Sequence, residues 1–277
     1  MQVSLSTGTF YHRGLGYSLG LARDAGFDGV ELALGLGYVL RGPEPYKQAL
    51  QASDIPVLSV HPPFYPFPGW PMRVSKRMMH VTSAARKLDA QLAVAHVPFI
   101  TGEQTPRAER FARAIRLGQR VGGTVPLTLE NSQHNKREWR TLLDDLGELT
   151  RFALEHNCGV TFDTCHAGAN GEDLLECYEL VRPALRNVHL SDLIWKEGRP
   201  VTHVLPGDGE LHLERFLAAL ARDGYNGFIT MEIHPREVGL FGRNRHLERL
   251  RKAVTFVRTA IAQPAVESPS TWAQTPS

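Results

Sequence analysis

Cysteine is scarce: the 277 residues hold three, Cys158, Cys165 and Cys177. Their odd number and the lack of any CxxC spacing exclude a disulfide framework and a cysteine-rich zinc centre, and point to a reducing compartment. No apolar run approaches the roughly 18 residues that a membrane-spanning helix needs. The opening Met1-Gln-Val-Ser-Leu-Ser-Thr7 enters a strand pattern without a basic and then apolar leader, so an unexported, cytoplasmic protein is expected. An excess of charge of one sign is missing as well. Lys and Arg number 31 against 29 Asp and Glu, a formal net charge of +2, which gives no electrostatic case for nucleic acid or an anionic membrane. No linker rich in Pro, Ser or Gly interrupts the interior. The length suits one large α/β barrel or two ordinary domains, and the missing linker favours one.

What the sequence does have is alternation. Eight short apolar runs, near Gln2–Ser6, Gly29–Leu34, Pro56–His61, Leu92–Val97, Pro126–Glu130, Gly159–Asp163, Asn187–Leu190 and Gly227–Ile233, are each followed by a polar or glycine-bearing turn and, in most units, by a helical pattern. That is the signature of parallel βα units, and eight of them make a single-domain (β/α)8 TIM barrel the expected α/β architecture over residues 1–262. Between the runs, Leu142, Leu143, Leu146, Leu149, Phe152 and Ala153 place an amphipathic helix over Glu138–His156. Two junctions, Ala25-Gly-Phe-Asp-Gly29 and Asp223-Gly-Tyr-Asn-Gly227, offer a glycine where a helix must stop before the next strand. Residues 263–277 lack periodicity and read as a flexible tail. The stretch His61-Pro-Pro-Phe-Tyr-Pro-Phe-Pro-Gly-Trp-Pro71 is too proline-rich for helix or strand and lays four aromatic rings beside the expected barrel mouth, either as a substrate wall or as ordinary loop packing.

Polar residues sit where the strands should end. Glu31, His61, His96, Glu130, Asp163 with His166, His189 and Glu232 close seven of the eight runs, most of them directly after apolar residues. In a parallel barrel these C-terminal strand ends converge on one mouth. A single histidine there would read as a hydrogen-bonded neighbour. Seven ends in register would crowd carboxylates and imidazoles into one cavity, and a bound cation is the simplest way to hold them together.

Glu130 in Leu-Glu-Asn, Asp163 in Asp-Thr-Cys-His-Ala, His189 in Val-His-Leu-Ser-Asp, the loop His203-Val-Leu-Pro-Gly-Asp-Gly-Glu-Leu211 and Glu232 in Ile-Thr-Met-Glu resemble the xylose-isomerase-like TIM barrels. That superfamily contains the sugar phosphate isomerase/epimerase group and the endonuclease IV group. Resemblance to the first group implies one divalent cation held by Glu130, Asp163, His189 and Glu232. The oxygen-rich donor set favours Mn²⁺ or Mg²⁺, with Zn²⁺ or Co²⁺ also able to bind. It further implies Glu130 and Glu232 as the acid/base pair moving a proton beside a carbonyl through an enediolate of a small carbohydrate substrate, with His166 on a substrate oxygen. Dehydratases share the scaffold and the same proton abstraction.

Resemblance to the endonuclease IV group implies a three-zinc site in which His61, His96 and Glu130 serve one ion and His166 and His203 another. That group has an Asp two residues before the counterpart of His203; this chain has Val201, which cannot ligate, and its loops after the first three strands lack a basic cluster for a duplex. A catalytically silent metal- or sugar-binding barrel is a further alternative, and a homo-oligomer is compatible with the sequence. Glu31 is expected either at substrate or in a supporting salt bridge. Asp192 and His234, just after ligand positions, are expected to orient His189 and Glu232. The glycines of Pro206-Gly-Asp-Gly-Glu-Leu211 either bind a substrate phosphate or form a tight turn before the next helix.

Overall fold

The computed structural model describes residues 1–64, 67–100, 105–133 and 140–262. Eight parallel strands close into a barrel: β1 (Gln2–Ser6), β2 (Gly29–Ala33), β3 (Val57–His61), β4 (Leu92–His96), β5 (Leu127–Glu130), β6 (Gly159–Asp163), β7 (Leu185–Leu190) and β8 (Phe228–Met231). Each neighbours the next in sequence, and β1 pairs with β8 to complete the ring. The expected runs match these strands to within two residues at either end.

The strands alternate with period two, and the two faces differ in kind. Val3, Leu5, Val30, Leu32, Val160, Phe162, Val188 and Leu190 are buried in the apolar core cluster. On the other parity lie Ser4, Glu31, Ser59, Thr128, Thr161, Asn187 and Thr230, all fully buried. These inner residues bond across strands: Ser4 Oγ to Thr230 Oγ1 at 2.8 Å, Thr128 Oγ1 to Thr161 Oγ1 at 2.7 Å, and Thr230 Oγ1 donating to Asn187 Oδ1 at 3.0 Å. Side chains of the same parity two residues further on are His61, Glu130, Asp163, His189 and Glu232, so a hydroxyl or amide layer lies beneath the polar mouth.

Helices surround the barrel. Helix α1 (Leu15–Ala25) stops where Gly26 adopts φ +88°, and the helix Leu213–Arg222 is followed by Gly224 at φ +68°, as expected at both junctions. The helix expected over Glu138–His156 is shorter, Leu146–Glu155. Asp145 caps it by accepting from the Glu148 N–H at 2.8 Å, and Arg140–Thr141 pairs instead with Phe99–Ile100 as a two-stranded ribbon. Leu142 and Leu143 are buried, but ahead of the helix. The start of the expected helix at 138–139 and the expected tail at 263–277 lie outside the described residues. A second departure follows β7. Asp192–Lys196 and Arg199–Val204 form an antiparallel hairpin turned by Glu197 (φ +50°) and Gly198 (φ +72°), the pair of positive φ angles that tight hairpins use. Among the described residues no helix is long and apolar enough to cross a membrane.

Candidate active site

The mouth gathers its polar side chains from β3 to β8. One donor atom each from Glu130, Asp163, His189 and Glu232 lies within 4.8 Å of the others. His189 is central: Nδ1 stands 3.1 Å from Glu130 Oε1 and 3.2 Å from Glu232 Oε2. Its other nitrogen, Nε2, faces away from the cavity toward Glu31 Oε2 at 3.0 Å.

Asp163 divides its carboxylate between two tasks. Oδ1 accepts from the His166 N–H at 3.0 Å and caps the helix Thr164–Asn170, while Oδ2 is buried with no hydrogen-bond partner. A fully buried carboxylate oxygen without a donor is costly. A hard cation among three carboxylates and one imidazole nitrogen would satisfy it, so the residues present fit the divalent ion that the sequence implies. The backbone of Asp163 is held by Asn131, whose Oδ1 accepts from the Asp163 N–H at 2.6 Å and whose Nδ2 donates to the Asp163 carbonyl at 3.1 Å. The Asn131 carbonyl also sits 3.0 Å from His166 Nδ1. Asn131 belongs to the Leu-Glu-Asn motif, yet its residue type alone gave no sign of this bracing role.

Crowding sets the charges. Burial alone would lower the pKa of His189, but the carboxylates of Glu31, Glu130 and Glu232 raise it well above 6.5. Burial would raise Glu130, but the charges of His189 and His96 hold it well below the usual carboxylate range. Glu232 likewise falls to about 2, against burial, through His189. Without a cation the imidazolium of His189 balances the cluster, a role that a divalent ion would take over.

Two further groups adjoin the first. His61 Nε2, His96 Nε2 and Glu130 Oε2 form a triangle with edges of 3.0, 3.1 and 3.3 Å. His61 Nδ1 donates to the Pro62 carbonyl at 2.6 Å, which leaves Nε2 to face the triangle. On the other side Asp163, Cys165, His166 and His203 also bring donor atoms within 4.8 Å. Cys165 is not a thiolate, because burial and then Asp163 push its pKa well above the ordinary value. His203 adopts φ +58°, a strained conformation for a residue with a side chain, and its Nδ1 lies 3.2 Å from the Glu232 carbonyl. Val201 lies on the hairpin strand Arg199–Val204.

The cavity above these groups encloses about 260 Å³ and is lined by His61, His96, Glu130, His166, His203 and Glu232 on its polar side. Gly8, Thr9, Tyr11, Phe64, Ile233, His234 and Pro235 supply the rest of its wall. Phe64 stacks on His61 with centroids 4.8 Å apart and lies across Gly8, where a Cβ would fall 1.8 Å from the ring. Thus Phe64 of the proline-rich loop forms a wall, while Phe67 and Trp70 pack on each other.

Two expectations are corrected, those for Asp192 and His234. Asp192 does not reach His189 or Glu232; its buried carboxylate accepts the N–H groups of Leu193, Gly207, Gly209 and Leu211 at 2.9–3.1 Å. That internal anion also consumes the backbone donors that a substrate phosphate would need, so the Pro206–Leu211 loop is a turn. His234 accepts from the Arg236 N–H through Nδ1, capping the short helix Pro235–Val238, and lines the cavity rather than orienting Glu232. Of the two places expected for Glu31, the structure shows the supporting salt bridge: the residue is fully buried with Oε2 3.0 Å from His189 Nε2, and it does not line the cavity.

A family model described as xylose isomerase-like TIM barrel matches residues 19–260. An uncharacterized Mycobacterium tuberculosis protein is 25% identical over 280 residues, covering 94% of this chain and 97% of its own. Fructoselysine 3-epimerase of Escherichia coli O157:H7 is 28% identical over 92 residues, 32% of each chain. The crystal structure of 3-keto-D-glucoside 4-epimerase from E. coli superposes with a TM-score of 0.71 at 16% identity, covering 94% of this chain and 99% of that one.

Proposed function

Because this chain belongs to the xylose isomerase-like TIM barrel family, we propose that it is a divalent-cation-dependent isomerase or epimerase of a small sugar or sugar phosphate, acting on the carbon beside a carbonyl. The observation that carries the reading is the pair Glu130 and Glu232, both lining the cavity and both within 3.2 Å of one imidazole nitrogen. Glu130, Asp163, His189 through Nδ1 and Glu232 would hold the cation. When bound, it would polarise a carbonyl and stabilise negative charge on the neighbouring oxygens.

The protein's own residues do the proton work. Glu130 and Glu232 are ionised at neutral pH, so either carboxylate can accept a proton from a substrate carbon. Return of that proton to the adjacent carbon is isomerisation; in epimerisation the first carboxylate keeps the abstracted proton while the second, having taken a proton from solvent, gives it to the opposite face of the same carbon. His166 and His203, on the rim, reach substrate hydroxyls, and Phe64 excludes water from one side. Fructoselysine 3-epimerase and 3-keto-D-glucoside 4-epimerase carry names that describe inversion of a sugar carbon, chemistry that this arrangement suits.

A second reading, a zinc-dependent phosphodiesterase, draws on the His61–His96–Glu130 triangle, a site for an extra ion. Against it stands Val201 where that reading needs a ligand. Incubation with a panel of ketoses in D₂O, with Mn²⁺ or Mg²⁺ supplied, distinguishes the two. Deuterium entering the carbon beside the carbonyl of at least one ketose is expected; absence of exchange across the panel, together with nicking of abasic DNA, would overturn the proposal.

A further inference from the structure

The register of β2 against β3 sets Glu31 opposite Ser59, one layer below the mouth. Both are fully buried. Ser59 Oγ donates to Glu31 Oε2 at 2.8 Å, and the same oxygen receives His189 Nε2 at 3.0 Å. The other carboxylate oxygen, Oε1, is buried without a partner. A carboxylate held this way is poorly solvated on one side and committed on the other, an arrangement that directs it at the imidazole above it.

Imidazole has two tautomers, and they have opposite consequences here. With the proton on Nε2, it is donated to Glu31 and the lone pair of Nδ1 faces Glu130 and Glu232. With the proton on Nδ1, the ring would turn an N–H toward the carboxylates and have no electron pair to give a cation. We propose that Glu31, anchored by Ser59, is the positioning residue that fixes His189 as the Nε2–H tautomer and so makes Nδ1 a cation ligand. The proposal rests on the cation site described above. Neither Glu31 nor Ser59 lines the cavity, so both act through His189 rather than on substrate.

The inference also accounts for a carboxylate in a layer otherwise built of hydroxyls and amides. Of the inner residues Ser4, Glu31, Ser59, Thr128, Thr161, Asn187 and Thr230, Glu31 alone carries a charge. A threonine there would complete the pattern but could not reach His189 with a full negative charge.

The test is cation affinity, measured by competition with a chromogenic chelator for Mn²⁺ and Zn²⁺, on wild type, Glu31→Gln and Ser59→Ala. Losing the supporting partner of a ligating histidine is expected to weaken affinity about 10–100-fold in Glu31→Gln, with a smaller loss in Ser59→Ala. Glu31→Asp, which keeps the charge on a shorter arm, should recover part of the loss. Nitrogen-15 spectra of the Mg²⁺- or Zn²⁺-loaded protein should place the His189 proton on Nε2 in wild type. Unchanged affinity in Glu31→Gln, or a wild-type proton on Nδ1, would overturn the assignment while leaving the cation site standing. Failure of wild type to bind any divalent cation would overturn both. Lost turnover with unaltered cation affinity in Glu31→Gln would also overturn it, by moving Glu31 into contact with substrate.

Discussion

At the scale of single residues, the site is a balance of buried charges, and its pH dependence follows from their directions. His189 has a folded pKa raised above its ordinary 6.5, so its contribution to stability is complete below that value and is lost as pH rises through the folded one. Glu232 has a folded value of about 2 against an ordinary 4.5, so its contribution is present above 4.5 and is lost as pH falls toward 2. The metal-free protein should therefore draw most stability from the cluster between about pH 4.5 and 6.5. A cation replaces the proton on His189, so the rise in Tm on adding Mn²⁺ should be larger at pH 8.5 than at pH 6; scanning calorimetry at both values checks this. A rise that shrinks at the higher pH would contradict the charge assignment. For the chemistry, Glu130→Gln and Glu232→Gln should each slow α-proton exchange by about 10²–10⁴-fold with the barrel intact, read by deuterium incorporation alongside circular dichroism. The strand-end residues Glu130, Asp163, His189 and Glu232 were legible in the sequence because each closes an apolar run. The roles of Asn131 and Ser59 were not, since an amide just past a strand or a hydroxyl within one carries no mark of the partner that tertiary structure gives it.

At the scale of elements, one loop shows how an alternative is decided by satisfaction of backbone groups. Gly207 and Gly209 carry the free N–H groups that a phosphate loop would need, but the Asp192 carboxylate takes them, together with those of Leu193 and Leu211. Asp192→Ala would leave four donors without their acceptor and should cost about 2–4 kcal/mol in denaturant unfolding. Cation affinity should stay within about twofold of wild type, because Asp192 does not touch His189. Sequence distance hid this: the hairpin Asp192–Val204 intervenes, and its Glu197-Gly198 turn is a weaker signal than Asn-Gly. Gly8 and Phe64 form a second such device. Gly8→Val would drive its side chain into the Phe64 ring, 1.8 Å from an ideal Cβ, and swing that wall into the cavity. The expected outcome is a KM for the active ketose raised about tenfold or more with cation affinity unchanged, checked by steady-state kinetics and chelator competition.

At the scale of the whole molecule, eight parallel strands and their helices bring side chains separated by as many as 201 positions, Glu31 and Glu232, to one imidazole. The barrel itself was legible because its period is simple: each strand is short and apolar on its outer parity, and β3 to β8 each lead into a polar residue at the mouth. Less legible was the inner parity, where Ser, Thr and Asn occupy positions that commonly hold branched aliphatics in such barrels. Read one strand at a time, they look like ordinary alternation; only closure of the ring shows that they form one hydrogen-bonded layer. The same closure converts four carboxylates, counting Glu31, from scattered surface charges into a buried cluster that needs positive charge at its centre. The most direct check is elemental analysis of protein stripped with chelator and reloaded with Mn²⁺, beside the variant Asp163→Asn. One tightly held ion per wild-type chain, weakened at least tenfold in the variant, is the predicted result. No retained ion in wild type, or equal retention after Asp163 has lost its charge, would contradict the account.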